Sequence, residues 1–248
     1  MRDKRHKEIL HHLDNSNWQT VKYLSEKLKV SEMTIRRDLN ELEENNLIVR
    51  LHGGAKIAPI LPETEMSHEN KKMINIELKE NIAIKIAKEV LDNELIFLGA
   101  GTTIELACKY LYSKNLKIVT NSLPVFLNFQ HSESVEVILI GGHFRKRTNS
   151  FAGAIADQGL KNIRFSKAFI GVNAIDGKSI TNYNQEEGST QQLALENAQT
   201  KYIVADHTKL DKVDFYHFFN LNEADYLIVD DQIDDSTREK YSNFTVVL

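Results

Sequence analysis

Ile35, Leu39 and Leu42 recur at i, i+4 and i+7, directly after Ser31, a residue type that caps helices. This spacing predicts a short helix with one buried stripe. Met33, Thr34, Arg36 and Arg37 lie off that stripe. Upstream, Ile9, Leu10 and Leu13 predict a first helix over Lys4–Asp14, broken by Asn15-Ser16-Asn17. Thr20 is placed to cap a second helix with Val21, Leu24 and Leu28 on its core face. Downstream, Leu47-Ile48-Val49 and Ala55-Lys56-Ile57 read as two strands turned at Gly53-Gly54. Three helices followed by a glycine-tipped hairpin constitute a winged helix-turn-helix, which sets its third helix in the major groove of DNA.

The residue types suit that task. Arginine donates two hydrogen bonds to guanine or to phosphate, and threonine bonds phosphate or touches a thymine methyl. Arg36 and Arg37 divide between base edge and backbone, in an order the sequence leaves open. Arg50 and His52, beside the hairpin turn, are placed for phosphate or the minor groove. The net charge of −4 is unevenly spread: residues 1–56 hold 11 Lys+Arg against 9 Asp+Glu, and the rest hold 20 against 26. So small a basic excess predicts weak DNA affinity per copy, and hence a homo-oligomer, dimer or tetramer.

Only 3 prolines and 11 glycines occur in 248 residues, which leaves little room for long disordered linkers. The single cysteine, Cys108, excludes an intrachain disulfide framework and fits a reducing cytoplasm. The charged, His-rich residues 1–14 do not read as a secretory signal. The most apolar stretch, 82–98, is interrupted by Lys85, Lys88, Glu89, Asp92 and Glu94, so no membrane span is expected. No Cys/His spacing matches a structural zinc site, and His6, His11 and His12 read as helix histidines.

Two of the three prolines, Pro59 and Pro62, fall in residues 58–75, where periodicity is weak. The expected organisation is therefore a DNA-binding domain over 1–57, a connecting segment over 58–75 and a second domain over 76–248. In the last, short apolar runs (95–98, 117–119, 135–140, 168–172, 202–205, 226–229) alternate with amphipathic stretches (around 82–90, 104–111, 125–129, 187–198). This predicts an α/β domain with a mostly parallel sheet.

Ligands of such sheets bind at the carboxyl ends of the strands. Gly99-Ala100-Gly101-Thr102-Thr103 follows a strand and opens a helix, where free N–H groups and threonine hydroxyls cradle an anion. It is neither a Walker A loop nor a dinucleotide fingerprint, so a small phosphate ester is the natural guest. Asn121 and Ser122 follow the second strand, Gly141 and Gly142 the third and Asn173 the fourth. Asp206 and Lys209 follow a later one. Asn121, Asn173, Asp206 and Lys209 suit the hydroxyls and charge of a sugar. With Glu187 they complete an effector set of Gly99, Gly101, Thr102, Thr103, Asn121, Ser122, Gly141, Gly142, Asn173, Glu187, Asp206 and Lys209.

Leu28-Lys29-Val30-Ser31-Glu32-Met33-Thr34-Ile35-Arg36-Arg37-Asp38-Leu39 with His52-Gly53-Gly54-Ala55 resembles the head of the DeoR family of bacterial transcriptional regulators. Gly99–Thr103, Thr120-Asn121-Ser122, Gly141-Gly142, Lys167–Gly171 and Asp206-His207-Thr208-Lys209 are similar to that family's sensor domain. The resemblance implies a ribose-5-phosphate isomerase-like fold, operator DNA as partner and a phosphorylated sugar as effector, with Gly101, Thr102 and Thr103 at its phosphate and no cofactor. It implies DNA contacts centred on 20–39, giving a set of Thr20, Ser31, Met33, Thr34, Arg36, Arg37, Arg50 and His52. Glu186-Glu187-Gly188, Gln191–Leu195 and Lys212–Tyr216 are most similar to the branch that represses lactose phosphotransferase operons, whose implied effector is tagatose 6-phosphate. The sequence departs from the family at Gln191, where many members have lysine, and from that branch at Ala100, where proline is frequent.

The rival reading is a sugar-phosphate isomerase or deaminase, which needs a positioned general base. Asp176-Gly177 resembles part of a deaminase motif, but Lys178 follows where a catalytic histidine is expected. Asp206 and Glu187 are the remaining carboxylate candidates. The same residues are also compatible with repression of a different sugar operon (fructose or glycerol) and with a constitutive architectural role on DNA.

Overall fold

A computed structural model describes residues 2–14, 18–44, 47–51, 53–57 and 65–248. The chain divides into two compact units, residues 1–63 and 64–248. Within the described residues no helix is long and apolar enough to cross a membrane.

The first unit contains α1 (Arg2–Asp14), β1 (Gln19–Thr20), α2 (Val21–Leu28), α3 (Glu32–Glu44), β2 (Ile48–Leu51) and β3 (Gly54–Ile57). Its core holds most of the set read from spacing: Ile9 and Leu13 from α1, Val21 and Leu24 from α2, Ile35, Leu39 and Leu42 from α3, with Ile48 and Ala55 from the wing, while Leu10 and Leu28 pack against it only partly buried. The wing has a third strand that spacing did not suggest, since β1 pairs antiparallel with β3, and β3 with β2. No glycine ends α2; Lys29 adopts the left-handed conformation (φ 52°) and its N–H bonds the Ser25 carbonyl. Asp38 lies on the inner side of α3, fully buried, and accepts two hydrogen bonds from Arg5 (2.5 and 2.8 Å) and a contact from His6 at 3.3 Å. An ion pair therefore ties α3 to α1.

The second unit is a three-layer α/β domain. Its sheet comprises β4 (Leu95–Leu98), β5 (Leu116–Thr120), β6 (Val135–Leu139), β9 (Phe165–Gly171), β12 (Ala198–Val204), β14 (Tyr226–Ile228) and β15 (Val246–Val247). All pairings are parallel, in the order β15-β14-β12-β9-β4-β5-β6. Alternate residues feed opposite layers, as strand geometry requires. Ile96, Leu98, Ile118 and Phe169 face α5 (Ile76–Glu89), α6 (Thr102–Leu111) and α7 (Leu123–Phe129). Phe97, Val119, Ala168 and Ile170 face the layer holding α8 (Ala154–Leu160), α9 (Gln185–Glu196) and α10 (Asp235–Ser242). Burial on both faces explains why these strands read as apolar runs rather than alternating ones. A hairpin of β7 (His143–Arg145) and β8 (Ser150–Ala152) and a small antiparallel sheet of β10 (Ala174–Asp176), β11 (Ser179–Asn182) and β13 (Tyr216–Asn220) had no counterpart in the periodicity. Asp176-Gly177 simply ends β10 and turns it into β11, with Asp176 exposed.

Residues 65–75, read from the sequence as part of a connecting segment, belong to the second unit. They contain α4 (His68–Lys72), and Glu65 and His68 are buried. Residues 58–64 lie outside the described set.

Asp38 sets a test of the first unit. The Asp38 carboxyl is buried, yet its bonds to Arg5 and His6 outweigh that burial and hold it below the usual carboxylate range. Asp38→Asn at neutral pH should cost the unit about 3 kcal/mol, because it breaks a buried pair. The difference from the unsubstituted chain should be full above about pH 4. It should close as pH falls through the depressed value, where Asp38 is protonated in both states. Trp18, the one tryptophan of the sequence, lies in this unit, so its fluorescence during denaturant unfolding reports the loss.

Candidate functional site

The strand order reverses between β4 and β9: β5 and β6 run to one side, β9, β12, β14 and β15 to the other. A crevice opens at such a reversal, outside the carboxyl ends of the strands. Here it is a cleft lined by the loop after β4 (Ala100, Gly101, Thr102, Thr103), the ends of β9 (Gly171, Val172, Asn173) and β12 (Val204, Ala205, Asp206), Lys209, and residues from α4, α5, β11 and α9. Gly101 begins α6 at φ 147°, a conformation that L side chains avoid, with Gly171 packed against it. The backbone thus enters the helix so that the first free N–H groups of α6 face the cleft. The Thr102 and Thr103 hydroxyls make no hydrogen bond within the described residues.

Cations gather around that helix end. Lys209 lines the cleft without an ion pair among the described residues. Lys71, from α4, donates to Asn173 Oδ1 at 2.7 Å. Lys79, from α5, is buried and donates to the carbonyls of Lys71 and of Ile74 (2.7 Å to the latter). Burial, reinforced by Lys209, pushes the Lys71 ammonium below the usual lysine range, and burial does the same to Lys79. An anion in the cleft relieves both effects.

The opposite wall is a directed chain of carboxamides. Lys71 can only donate, so Asn173 turns its oxygen to it and its Nδ2 toward Asn182 Oδ1 (3.4 Å) and Asp214 Oδ2 (3.3 Å). Asn182 Nδ2 donates to Gln191 Oε1 (2.9 Å), and Gln191 Nε2 reaches the Gly171 carbonyl (3.4 Å). Every amide orientation follows from the one before. Two buried carboxylates complete the wall. Asp206 accepts from the N–H of Thr208 (3.1 Å) and from its hydroxyl. Glu187 Oε1 accepts from Ser150 (2.7 Å) and from Thr148, and is ion-paired with Arg145 (2.7 Å).

Of the expected effector residues, the fold brings Gly101, Thr102, Thr103, Asn173, Glu187, Asp206 and Lys209 together in the cleft. Gly99, Asn121, Ser122, Gly141 and Gly142 are not in its lining. For Asn121, Ser122, Gly141 and Gly142 the reason is topological: β5 and β6 lie beyond β4, away from the reversal. Gly99, Asn121, Ser122 and Gly142 have local tasks instead. Gly99 bonds the Phe169 carbonyl (2.9 Å) in the sheet. Asn121 Nδ2 bonds the Phe151 carbonyl (2.9 Å), and Ser122 caps α7. Gly142, at φ 153°, passes so close to β8 that a Cβ would lie 2.8 Å from the Ala152 carbonyl oxygen. A Cβ on Gly141 would meet open space. Sequence reading missed His68, Lys71, Lys79, Thr148 and Asn182. One signal was present: Lys79 sits among Leu78, Ile82, Ala83 and Ile86 on the buried stripe of α5, where a lysine is out of place.

In the first unit, Met33, Arg36 and Arg37 stand on the exposed side of α3, Met33 being 81% exposed. Among the described residues, Arg36 and Arg37 make long contacts with Glu32 (3.5 Å) and Glu41 (4.0 Å). Thr20 caps α2 by accepting from Tyr23 N–H (3.0 Å), and Ser31 accepts from Thr34 N–H (3.2 Å), so both hydroxyls have structural work. Arg50 bonds Asn40 through its guanidinium. His52 is outside the described residues. Among the described residues no cluster of His, Cys, Asp and Glu suited to a metal occurs.

Residues 5–59 match the DeoR-like helix-turn-helix domain, and residues 74–231 match the DeoR C terminal sensor domain. The chain is 40% identical to the lactose phosphotransferase system repressor of Lactococcus lactis subsp. lactis over 248 residues, covering 99% of this chain and 97% of that one. It is 39% identical to the repressor of the same name from Streptococcus mutans, covering 100% and 99%. Among solved structures it is similar to ribose 5-phosphate isomerase A from Methanocaldococcus jannaschii (TM-score 0.41, 17% identity, 55% of each chain). With a helix-turn-helix head, a sensor domain and repressors as full-length relatives, the chain is a regulator rather than an enzyme, and it belongs to the DeoR family.

Proposed function

We propose that this chain is a DNA-binding repressor of a sugar-catabolic operon of the lactose or galactose type, released from its operator by a phosphorylated sugar, tagatose 6-phosphate in the first instance. The cleft carries this reading: one end suits a phosphate and the other suits hydroxyls. The free N–H groups of α6, the Thr102 and Thr103 hydroxyls and the Lys71 and Lys209 ammoniums receive the dianion. Asn173, Asn182 and Gln191 offer amide hydrogens and lone pairs, and Glu187 and Asp206 accept from hydroxyls. A neutral Gln191 suits a sugar with a single phosphate. Full-length relatives named for the lactose phosphotransferase system support the choice of operon.

On the DNA side, Arg36, Arg37 and Met33 on the open face of α3 form the reading surface, with Arg50 beside it. The small basic excess of residues 1–56 calls for at least two heads acting together on repeated half-sites. The sugar phosphate acts by preferring the arrangement that does not bind the operator, since a ligand shifts an equilibrium only through differential affinity.

A thermal-shift panel of tagatose 6-phosphate, fructose 1-phosphate and glycerol 3-phosphate tests the cleft. A ligand at 100 times its Kd should stabilise the second unit by about 2.7 kcal/mol. Lys209→Met should abolish that shift, and a panel without any shift would sink the reading. Arg37→Ala should weaken operator binding by about 1–3 kcal/mol if it reads a base edge, measured by fluorescence anisotropy, with the ligand shift intact. The pH dependence follows from Lys71. Its pKa is depressed by burial and by Lys209, so its charge is lost at lower pH than that of an ordinary lysine (10.5). Titration calorimetry from pH 7 upward should show sugar-phosphate affinity falling before that value, and Lys71→Arg should hold its affinity further into the alkaline range.

A further inference from the structure

Arg145 lies on β7, outside the cleft lining, between two buried carboxylates. Its Nη2 is 2.7 Å from Glu65 Oε2 and its Nη1 is 2.7 Å from Glu187 Oε1, with the side chains 14, 3 and 7% exposed in that order. Glu187 belongs to the cleft wall. Glu65 belongs to the strap, residues 65–75, which is the first described segment after the DNA-binding unit. One guanidinium is thus shared between the cleft and the segment that follows the DNA-binding head.

The two carboxylates are not equivalent. Two hydroxyl donors (Thr148 and Ser150) and the Arg145 ion pair converge on Glu187 Oε1, whereas Oε2 accepts no hydrogen bond from the described residues. Oε2 is the open acceptor for a ligand hydroxyl. A donor there draws charge from Oε1 and weakens its hold on Arg145, because the two oxygens share one negative charge. Arg145 Nη1 also donates to Glu65 Oε1 (3.4 Å) and Nη2 to Glu65 Oε2 (2.7 Å), and this hold on Glu65 then gains.

The strap is built to respond. Arg147 donates to the Glu65 carbonyl, and the His68 N–H donates to the Arg147 carbonyl at 2.7 Å. On its other side, His68 Nε2 lies 2.9 Å from Glu105 Oε2 and Lys72 Nζ 2.8 Å from Glu105 Oε1. Glu105 stands one turn beyond Thr102 on α6. Asn75 Nδ2 donates to Thr208 Oγ1 at 3.3 Å. The strap is therefore fastened to the anion end of the cleft through Glu105 and to its hydroxyl end through Arg145.

We propose that Arg145 transmits occupancy of the cleft to the strap: a hydroxyl on Glu187 Oε2 shifts the guanidinium toward Glu65, the strap tightens, and the altered seat of residues 65–72 lowers operator affinity. This rests on the reading of the cleft as a sugar-phosphate site. The two are separable, because binding of the sugar to the unsubstituted chain tests the site, and the variants test the transmission.

The probes are tagatose 6-phosphate and the chain's own promoter fragment. In the unsubstituted chain the sugar phosphate should weaken operator binding by about 5–150-fold, the usual range of such coupling. It should also slow hydrogen exchange of the His68 amide. Glu65→Gln removes the carboxylate charge that faces Arg145 and leaves the Arg145–Glu187 pair in place; Arg145→Lys keeps a cation but loses the fork. Both should still bind the sugar phosphate and the operator separately, with the coupling reduced to below about twofold. Because Glu65→Gln keeps a hydrogen-bonding group of the same size, it guards against a folding defect in the arginine variant. Wild-type coupling in both variants, or a His68 amide indifferent to bound sugar phosphate, would overturn the proposal. A chain that binds no sugar phosphate would overturn the site, and the transmission with it.

Discussion

The backbone pairing of β4 with β9 is the contact on which the rest of this protein's sensor unit depends. The two strands are some seventy residues apart in sequence, and their parallel register (Ile96 with Lys167, Leu98 with Phe169) brings two strand ends side by side. Because β5 and β9 leave β4 in opposite directions, the loops after β4 and β9 part and leave a crevice. Gly101 and Gly171 let the backbones close the floor of that crevice without side chains. Everything else in the cleft is hung on this frame: the free helix end of α6 from one strand, Asn173 from the next and Asp206 from the third.

Charge then organises the frame. Burying lysines is costly unless an anion or a set of carbonyls receives them. Lys79 is received by carbonyls of the strap, and Lys71 by an amide oxygen, which leaves their charge available at the helix end. Glu187 on the cleft wall and Glu65 on the strap share Arg145, so the two carboxylates draw on one cation. The chain of amides from Lys71 to Gly171 adds a direction, since each group's orientation is dictated by a donor that cannot accept.

The first unit was legible because its elements are local. Ile35, Leu39 and Leu42, the caps at Thr20 and Ser31 and the two wing strands all follow from neighbours within a few residues, and the core they form is mostly the predicted one. What escaped was non-local even there: β1 pairing with β3 across the unit, and Asp38 turned inward to meet Arg5. In the second unit the buried strands were legible as apolar runs, since both faces are covered. The antiparallel β10-β11-β13 sheet was not, because its strands are short and irregular in pattern.

The amino-acid order alone determined the winged head, the α/β class, the family and the loop at Gly99–Thr103, because each is written in residues close together along the chain. Only the folded arrangement decided which strand ends meet. It removed Asn121, Ser122, Gly141 and Gly142 from the cleft, for β5 and β6 lie beyond the reversal. It brought in Lys71 and Lys79 from a stretch that has no strand and no motif. It also placed Arg145 between Glu65 and Glu187, residues 80 and 42 positions away, a proximity that no local pattern encodes and that only the packing of a hairpin, a helix and a strap produces.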